Sequence, residues 1–151
     1  MSIGQTPITV IGNLCADPEL RYTSTGTPVA TFTVASTKRA LNKETGKYED
    51  SGTLFLRVNC WRHLAENVAE SAQKGVRVVV SGSLNQRDWE DKEGNKRTSY
   101  EVQAEEVAAS MQWATCKITK TERSHGNGPV QEDPWAEAGP PPAPADDEAP
   151  F

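Results

Sequence analysis

The sequence predicts an all-β domain, a five-stranded Greek-key barrel with one helix between its third and fourth strands, followed by a disordered C-terminal tail. Three observations predict it. Short β-rich runs with two-residue alternation recur from residue 8 to about residue 107. One stripe of helical period interrupts them. Beyond about residue 119 the periodic apolar pattern stops, and Gly, Pro, Ala and acidic residues take over.

Residues 8–14 are a β-branched run and open the domain. The turn Thr23-Ser24-Thr25-Gly26-Thr27 leads into a second strand over residues 28–37, where Val29, Thr31, Thr33 and Ala35 alternate with Ala30, Phe32 and Val34. Residues 38–52 form the longest loop, with Lys38, Arg39, Lys43 and Lys47, and residues 53–61 are the third strand. Leu64, Ala65, Val68, Ala69 and Ala72 make a single helical stripe, with Gly75 placed as its C-terminal cap. Residues 76–89 form a long fourth strand broken at Gly82, where a bend or bulge lets a strand curl around a small barrel. The hairpin Asp91-Lys92-Glu93-Gly94-Asn95 joins it to a fifth strand over residues 98–107. Three strands, a helix and two strands is the order of an OB-fold. The helix and the small strand count favour that fold over a sandwich.

At 151 residues the chain is one domain plus a tail, read as residues 1–121, a linker over 122–145 and a tip over 146–151. Charge divides at the same border. Through Arg123 there are 16 Lys and Arg against 15 Asp and Glu, whereas residues 124–151 carry six acids and no base. The overall net charge of −5 therefore hides a near-neutral domain that holds every basic residue. Cys15, Cys60 and Cys116 have neither CxxC spacing nor an even count, which points to small hydrophobes in a reducing cytoplasm and not to a disulfide framework or a metal site. The opening residues carry no signal segment, and no run reaches membrane-spanning length, so a soluble cytoplasmic protein without a membrane partner is expected. His63 and His125 stand alone, and no phosphate-cradling loop, nucleophile elbow or metal-ligand spacing occurs. No enzyme, no catalytic residue and no cofactor are expected.

The third strand carries the chemistry. Alternation places Leu54, Leu56, Val58 and Cys60 on one face and Phe55, Arg57, Asn59 and Trp61 on the other. Two flat rings interleaved with a guanidinium and an amide suit a single-stranded nucleic acid, whose bases stack on rings while cations follow its phosphates. Lys38, Arg39, Arg57, Arg62, Arg87 and Arg97 are the candidate phosphate contacts. Lys38 and Arg39 are favoured over Lys47 because no acid adjoins them in sequence, whereas Lys47 lies near Glu44 and Glu49. An exposed amphipathic strand would show the same alternation.

Several short motifs in order carry a family resemblance. Ile8-Thr9-Val10-Ile11-Gly12-Asn13-Leu14, Asp17-Pro18-Glu19-Leu20-Arg21-Tyr22, Gly26 and Ala30-Thr31-Phe32-Thr33-Val34-Ala35 resemble the opening of bacterial single-stranded DNA-binding proteins. Trp61-Arg62, Ala65-Glu66-Asn67-Val68, Lys74-Gly75, Val80-Ser81-Gly82 and Arg87-Asp88-Trp89 continue the match, which spans roughly residues 6 to 121. Ala114-Thr115-Cys116-Lys117-Ile118-Thr119-Lys120 is similar to the actinobacterial branch, where an extra strand clamps neighbouring subunits. The resemblance implies base-stacking roles for Phe55, Trp61 and Trp89, and a homotetramer. Trp113 begins the clamp segment and is read as an interface or core residue, and Tyr22 and Tyr100 are read as packing residues. An aromatic often seen near the start of the long loop is replaced by Ala40 and Leu41.

The tail ends Asp146-Asp147-Glu148-Ala149-Pro150-Phe151. A terminal apolar ring behind acids can fill an apolar pocket while its carboxylate and the acids meet a basic rim. The family's acidic tip recruits replication, recombination and repair proteins, and this ending resembles it, with Ala149 in place of a bulkier residue. Asp133-Pro134-Trp135 is a candidate second contact. Two other functions fit the same features: a tail-bearing adaptor whose barrel oligomerises, and an OB-fold that binds RNA.

Overall fold

The computed structural model describes residues 3–122, and residues up to Cys116 form one compact unit. The elements run β1 (Thr6–Leu14), β2 (Glu19–Tyr22), β3 (Pro28–Leu41), β4 (Tyr48–Trp61), α1 (His63–Ser71), β5 (Arg77–Glu90) and β6 (Lys96–Ala109). They form one sheet in the order β1-β5-β6-β4-β3-β2, and β1 also pairs with β3 through Asn13 opposite Ala35 and Leu14 opposite Val34. That extra pairing joins five strands into a closed ring, with β2 lying along the free part of β3. The β4–β6 pairing is parallel and all others are antiparallel. The OB-fold expectation holds, with the helix between the strands that were numbered third and fourth from sequence.

The interior is lined by the inward residue of each alternation. Val34, Val58, Val80 and Val102, one from each of β3, β4, β5 and β6, are among the most completely buried side chains. Val58 and Val102 are direct partners across β4–β6, and Val10 faces Val80 across β1–β5. Burying a branched aliphatic side chain stabilises by about 1.5 to 3 kcal/mol, and the branching suits a pleated surface. One end of this core is covered by α1 through Ala65 and Val68, with Leu64 and Ala72 at its margin. Cys60 is buried in the same core, Cys15 is half-buried and Cys116 is exposed. The Cys60 thiol is pushed up to about 12 by that burial.

Two glycines let the ring close. A Cβ on Gly12 would stand 2.8 Å from Val34 Cγ1 and closer still to the Ala35 carbonyl, where β1 passes over β3. A Cβ on Gly82 would stand 2.9 Å from Ala104 Cα, at a register shift between Ser81 and Gly82. The sequence marks Gly82 as a bend; Gly12, inside a β-branched run, gives no such signal.

Three expectations are corrected. The loop over residues 38–52 is mostly strand: β3 and β4 extend as a paired arm to a short tip in which Asn42 Oδ1 accepts from the Glu44 N–H at 2.9 Å. The helix ends earlier than Gly75 suggests, because Ala72 takes the C-cap in an extended conformation and Gly75, with φ 87°, serves the turn into β5 by donating to the Leu14 carbonyl. Residues 114–120, likened in sequence to an extra strand, form no strand among the described residues. Residues 117–122 are exposed and without regular structure. Residues 123–145 of the linker read over 122–145, and the tip at residues 146–151, lie outside the described residues.

Candidate nucleic-acid interface

Cross-strand pairing brings Phe55, Trp61, Trp89, Arg57, Arg87 and Arg97 to one outward face. On β4 this face carries Phe55, Arg57, Asn59 and Trp61. Arg57 is the partner of Glu101 on β6, and Asn59 of Gln103. On β5, Asn85, Arg87 and Trp89 stand opposite Glu101, Ser99 and Arg97. Because directly paired residues share a face, the three rings and the arginines at 57, 87 and 97 occupy a single surface running over β4, β6 and β5. Phe55, Trp61 and Trp89 are 63%, 45% and 49% exposed, so each ring is open to solvent in part.

The polar groups between the rings are tied down. Asn59 points outward as expected but is buried, accepting from Thr31 Oγ1 at 3.0 Å and donating to Glu101 Oε2 at 2.9 Å. The Trp61 indole N–H donates to Gln103 Oε1 at 2.9 Å, which fixes the orientation of its ring. Arg57, Arg87, Trp89, Ser99, Tyr100 and Glu101 line one open cleft of about 360 Å³.

The basic residues fall into two groups. Arg39 meets Asp50 at 3.4 Å and donates to the Tyr48 carbonyl, Arg87 lies 4.0 Å from Glu101, and Arg97 donates to Asp91 at 3.1 Å. Lys38, Arg57 and Arg62 have no acidic partner among the described residues. No acid adjoins Arg39 in sequence, and its acid, Asp50, comes from across the arm, where sequence adjacency gives no warning. Alternation also sends Lys38 to the face opposite Arg39, and Arg62 lies beside the β2–β3 turn, lining a shallow recess with Gly26, Thr27 and Pro28.

The sequence reading misplaces two rings and overlooks a third. Tyr22 and Tyr100 were expected to pack, yet they are 63% and 55% exposed. Tyr100 shares the parity of Val102, but it lies beyond the rim of the ring, where the inward face has no core behind it; Leu54 on β4 is exposed for the same reason. Tyr48 stands opposite Leu41, so the arm does carry an aromatic at the level where Ala40 and Leu41 leave one out. Trp113 is exposed and stacks under the Arg77 guanidinium, 4.8 Å from its ring centre, away from this face.

Among the described residues, no group of three His, Cys, Asp or Glu side chains is placed to hold a metal ion, and no helix is long and apolar enough to cross a membrane.

Comparison with known proteins gives one consistent result. The model of the single-strand binding protein family matches residues 6–110. A single-stranded DNA-binding protein of Mycobacterium tuberculosis is 49% identical over 98% of this chain and 99% of its own length. Single-stranded DNA-binding protein 2 of Streptomyces coelicolor is 55% identical over 78% of this chain and 59% of its own. The crystal structure of a small single-stranded DNA-binding protein from Streptomyces coelicolor superposes with a TM-score of 0.64 at 31% identity, covering 72% of this chain and 97% of that one.

Proposed function

This chain belongs to the single-strand binding protein family, and we propose that it binds single-stranded DNA on the outward face of β4, β5 and β6 without reading its sequence. Membership in a family of DNA-binding, non-enzymatic proteins also means that the chain is not an enzyme. The observation that supports this face is the convergence of Phe55, Trp61 and Trp89 with Arg57, Arg87 and Arg97 on one surface. Bases stack on the three rings, Arg57 and Arg62 contact phosphates first because no acid holds them, Lys38, likewise without an acidic partner, adds its charge from the β3–β4 arm, and Arg39, Arg87 and Arg97 contribute as their ion pairs open.

The same proposal extends to the rest of the chain. Four copies assemble, with residues 114–120 clamping neighbours. The acidic tip at residues 146–151 recruits replication, recombination and repair proteins in the cytoplasm. Family resemblance and the composition of the tail support these assignments.

Titration with oligo(dT) tests the binding face. Intrinsic tryptophan fluorescence should be quenched, and Trp61→Ala or Trp89→Ala should each weaken binding by about 1 to 3 kcal/mol, the worth of one stacked base. Folded variants that keep full affinity would remove the stacking face and favour an adaptor. Tighter binding of oligo(U) than of oligo(dT) would favour RNA.

A further inference from the structure

Glu101 is an acid set inside a face that has to meet a polyanion. Its side chain is 12% exposed, against 70% for Arg87. It occupies the place where three strands meet, as the partner of Arg57 across β4–β6 and of Asn85 across β5–β6. Its two oxygens do different things: Oε2 accepts from Asn59 Nδ2 at 2.9 Å, and Oε1 faces the Arg87 guanidinium at 4.0 Å. Asn59 is itself held by Thr31 on β3. The result is a polar chain, Thr31–Asn59–Glu101–Arg87, that runs from β3 across the three strands of the face.

A carboxylate that merely tolerated solvent would turn outward and be fully hydrated. This one is largely covered and is held from below by the Asn59 amide, which opposes its turning away when a phosphate arrives. A charge held in a low-exposure site is screened less than one on a free side chain. Resting on the reading that this face binds single-stranded DNA, we propose that Glu101 is a positioning residue that acts through Arg87. It holds the guanidinium over the Trp89 cleft and cancels its charge, so that the face engages one phosphate fewer than its arginines would otherwise allow. Affinity is thereby limited and the strand exchanges more readily than on a face of uncompensated arginines. Asn59 keeps the carboxylate in place.

Salt dependence separates this from a structural role. Each neutralised phosphate adds about 0.7 to the slope of log K against log salt for a single strand. Glu101→Gln, with folding checked by its thermal unfolding, should tighten oligo(dT) binding severalfold at low salt and steepen that slope by about 0.7. Adding Arg87→Gln to that variant should take the gain back. In the wild-type background Arg87→Gln should change the slope by less than half as much, and that comparison stands even if Glu101→Gln fails to fold. Weaker binding by a folded Glu101→Gln, an unchanged slope, or a full loss of about 0.7 from Arg87→Gln alone would overturn the proposal while leaving the binding face intact. No salt-dependent binding of oligo(dT) by the wild-type chain would overturn the face and Glu101's role together.

Discussion

At Arg62 the backbone takes φ 58° and ψ −134°, the one positive φ on a residue other than glycine among the described residues. The strain has a local cause: β4 ends on the outward-facing Trp61 and the chain must enter α1 within one residue. The Arg62 N–H donates to the Pro28 carbonyl, and its carbonyl accepts from Glu66. Such a conformation costs about 1 to 3 kcal/mol for a residue with a Cβ, and glycine's extra unfolded-state freedom offsets about 0.5 to 1 of it. Arg62→Gly should therefore stabilise the domain by about 1 kcal/mol in chemical denaturation, while its oligo(dT) isotherm shifts to weaker binding because a free guanidinium is lost. A stability loss would mean that the arginine stem contributes packing that exceeds the strain. Residues of this kind differ in how visible they are beforehand. Phe55, Arg57 and Trp61 were legible because they share one strand and a period of two. Glu101 was not, because its meaning depends on β4 and β6 lying side by side in parallel, a pairing between segments more than forty residues apart.

The two arms, β3–β4 and β5–β6, are where element boundaries were hardest to read. Residues 38–41 and 48–52 pair as strands with nearly all side chains exposed, so backbone hydrogen bonds hold them and no apolar period records it. The four-residue β2 escaped notice for a similar reason, having only Leu20 partly buried. The core segments of β1, β3, β4, β5 and β6 were legible, because their alternation is enforced by the interior. At the tip of the β5–β6 arm, Asp91 organises its own turn. Its Oδ1 accepts from the N–H groups of Glu93 and Asn95 at 3.0 and 2.8 Å, and Oδ2 accepts from Arg97 at 3.1 Å. The backbone bond from Asn95, chiefly, holds its carboxyl below the usual value, with Arg97 adding to the effect. A depressed folded-state pKa stabilises the arm above the ordinary 3.8 and ceases to do so as pH falls through the lower folded value. Amide exchange at Glu93 and Asn95 should thus accelerate, after correction for intrinsic rates, only below about pH 3.8, and in Asp91→Ala it should already be fast at neutral pH. Fast exchange in the wild type at neutral pH would contradict this role for the aspartate.

For the molecule as a whole, the division into a near-neutral domain and an acidic end was readable from composition alone, whereas ring closure at Gly12 was not. If the end acts only by recruitment, deleting residues 146–151 should leave the domain's thermal unfolding unchanged and abolish capture of replication, recombination and repair proteins from lysate. Equal capture by the truncated chain would assign recruitment elsewhere. The three thiols offer a different use of the fold. Cys116 is open to reagent, Cys15 is partly shielded, and Cys60 is sealed in the core with its thiol pushed up to about 12. Alkylation proceeds through the thiolate, so one reagent would meet three clocks on one chain. The first reports reagent strength, the second local breathing, and the third runs only while the ring of strands is open. A ligand that holds the ring shut would slow the third clock and leave the first at its own rate. The chain thus carries a native gauge of how often its core is breached, without an added label.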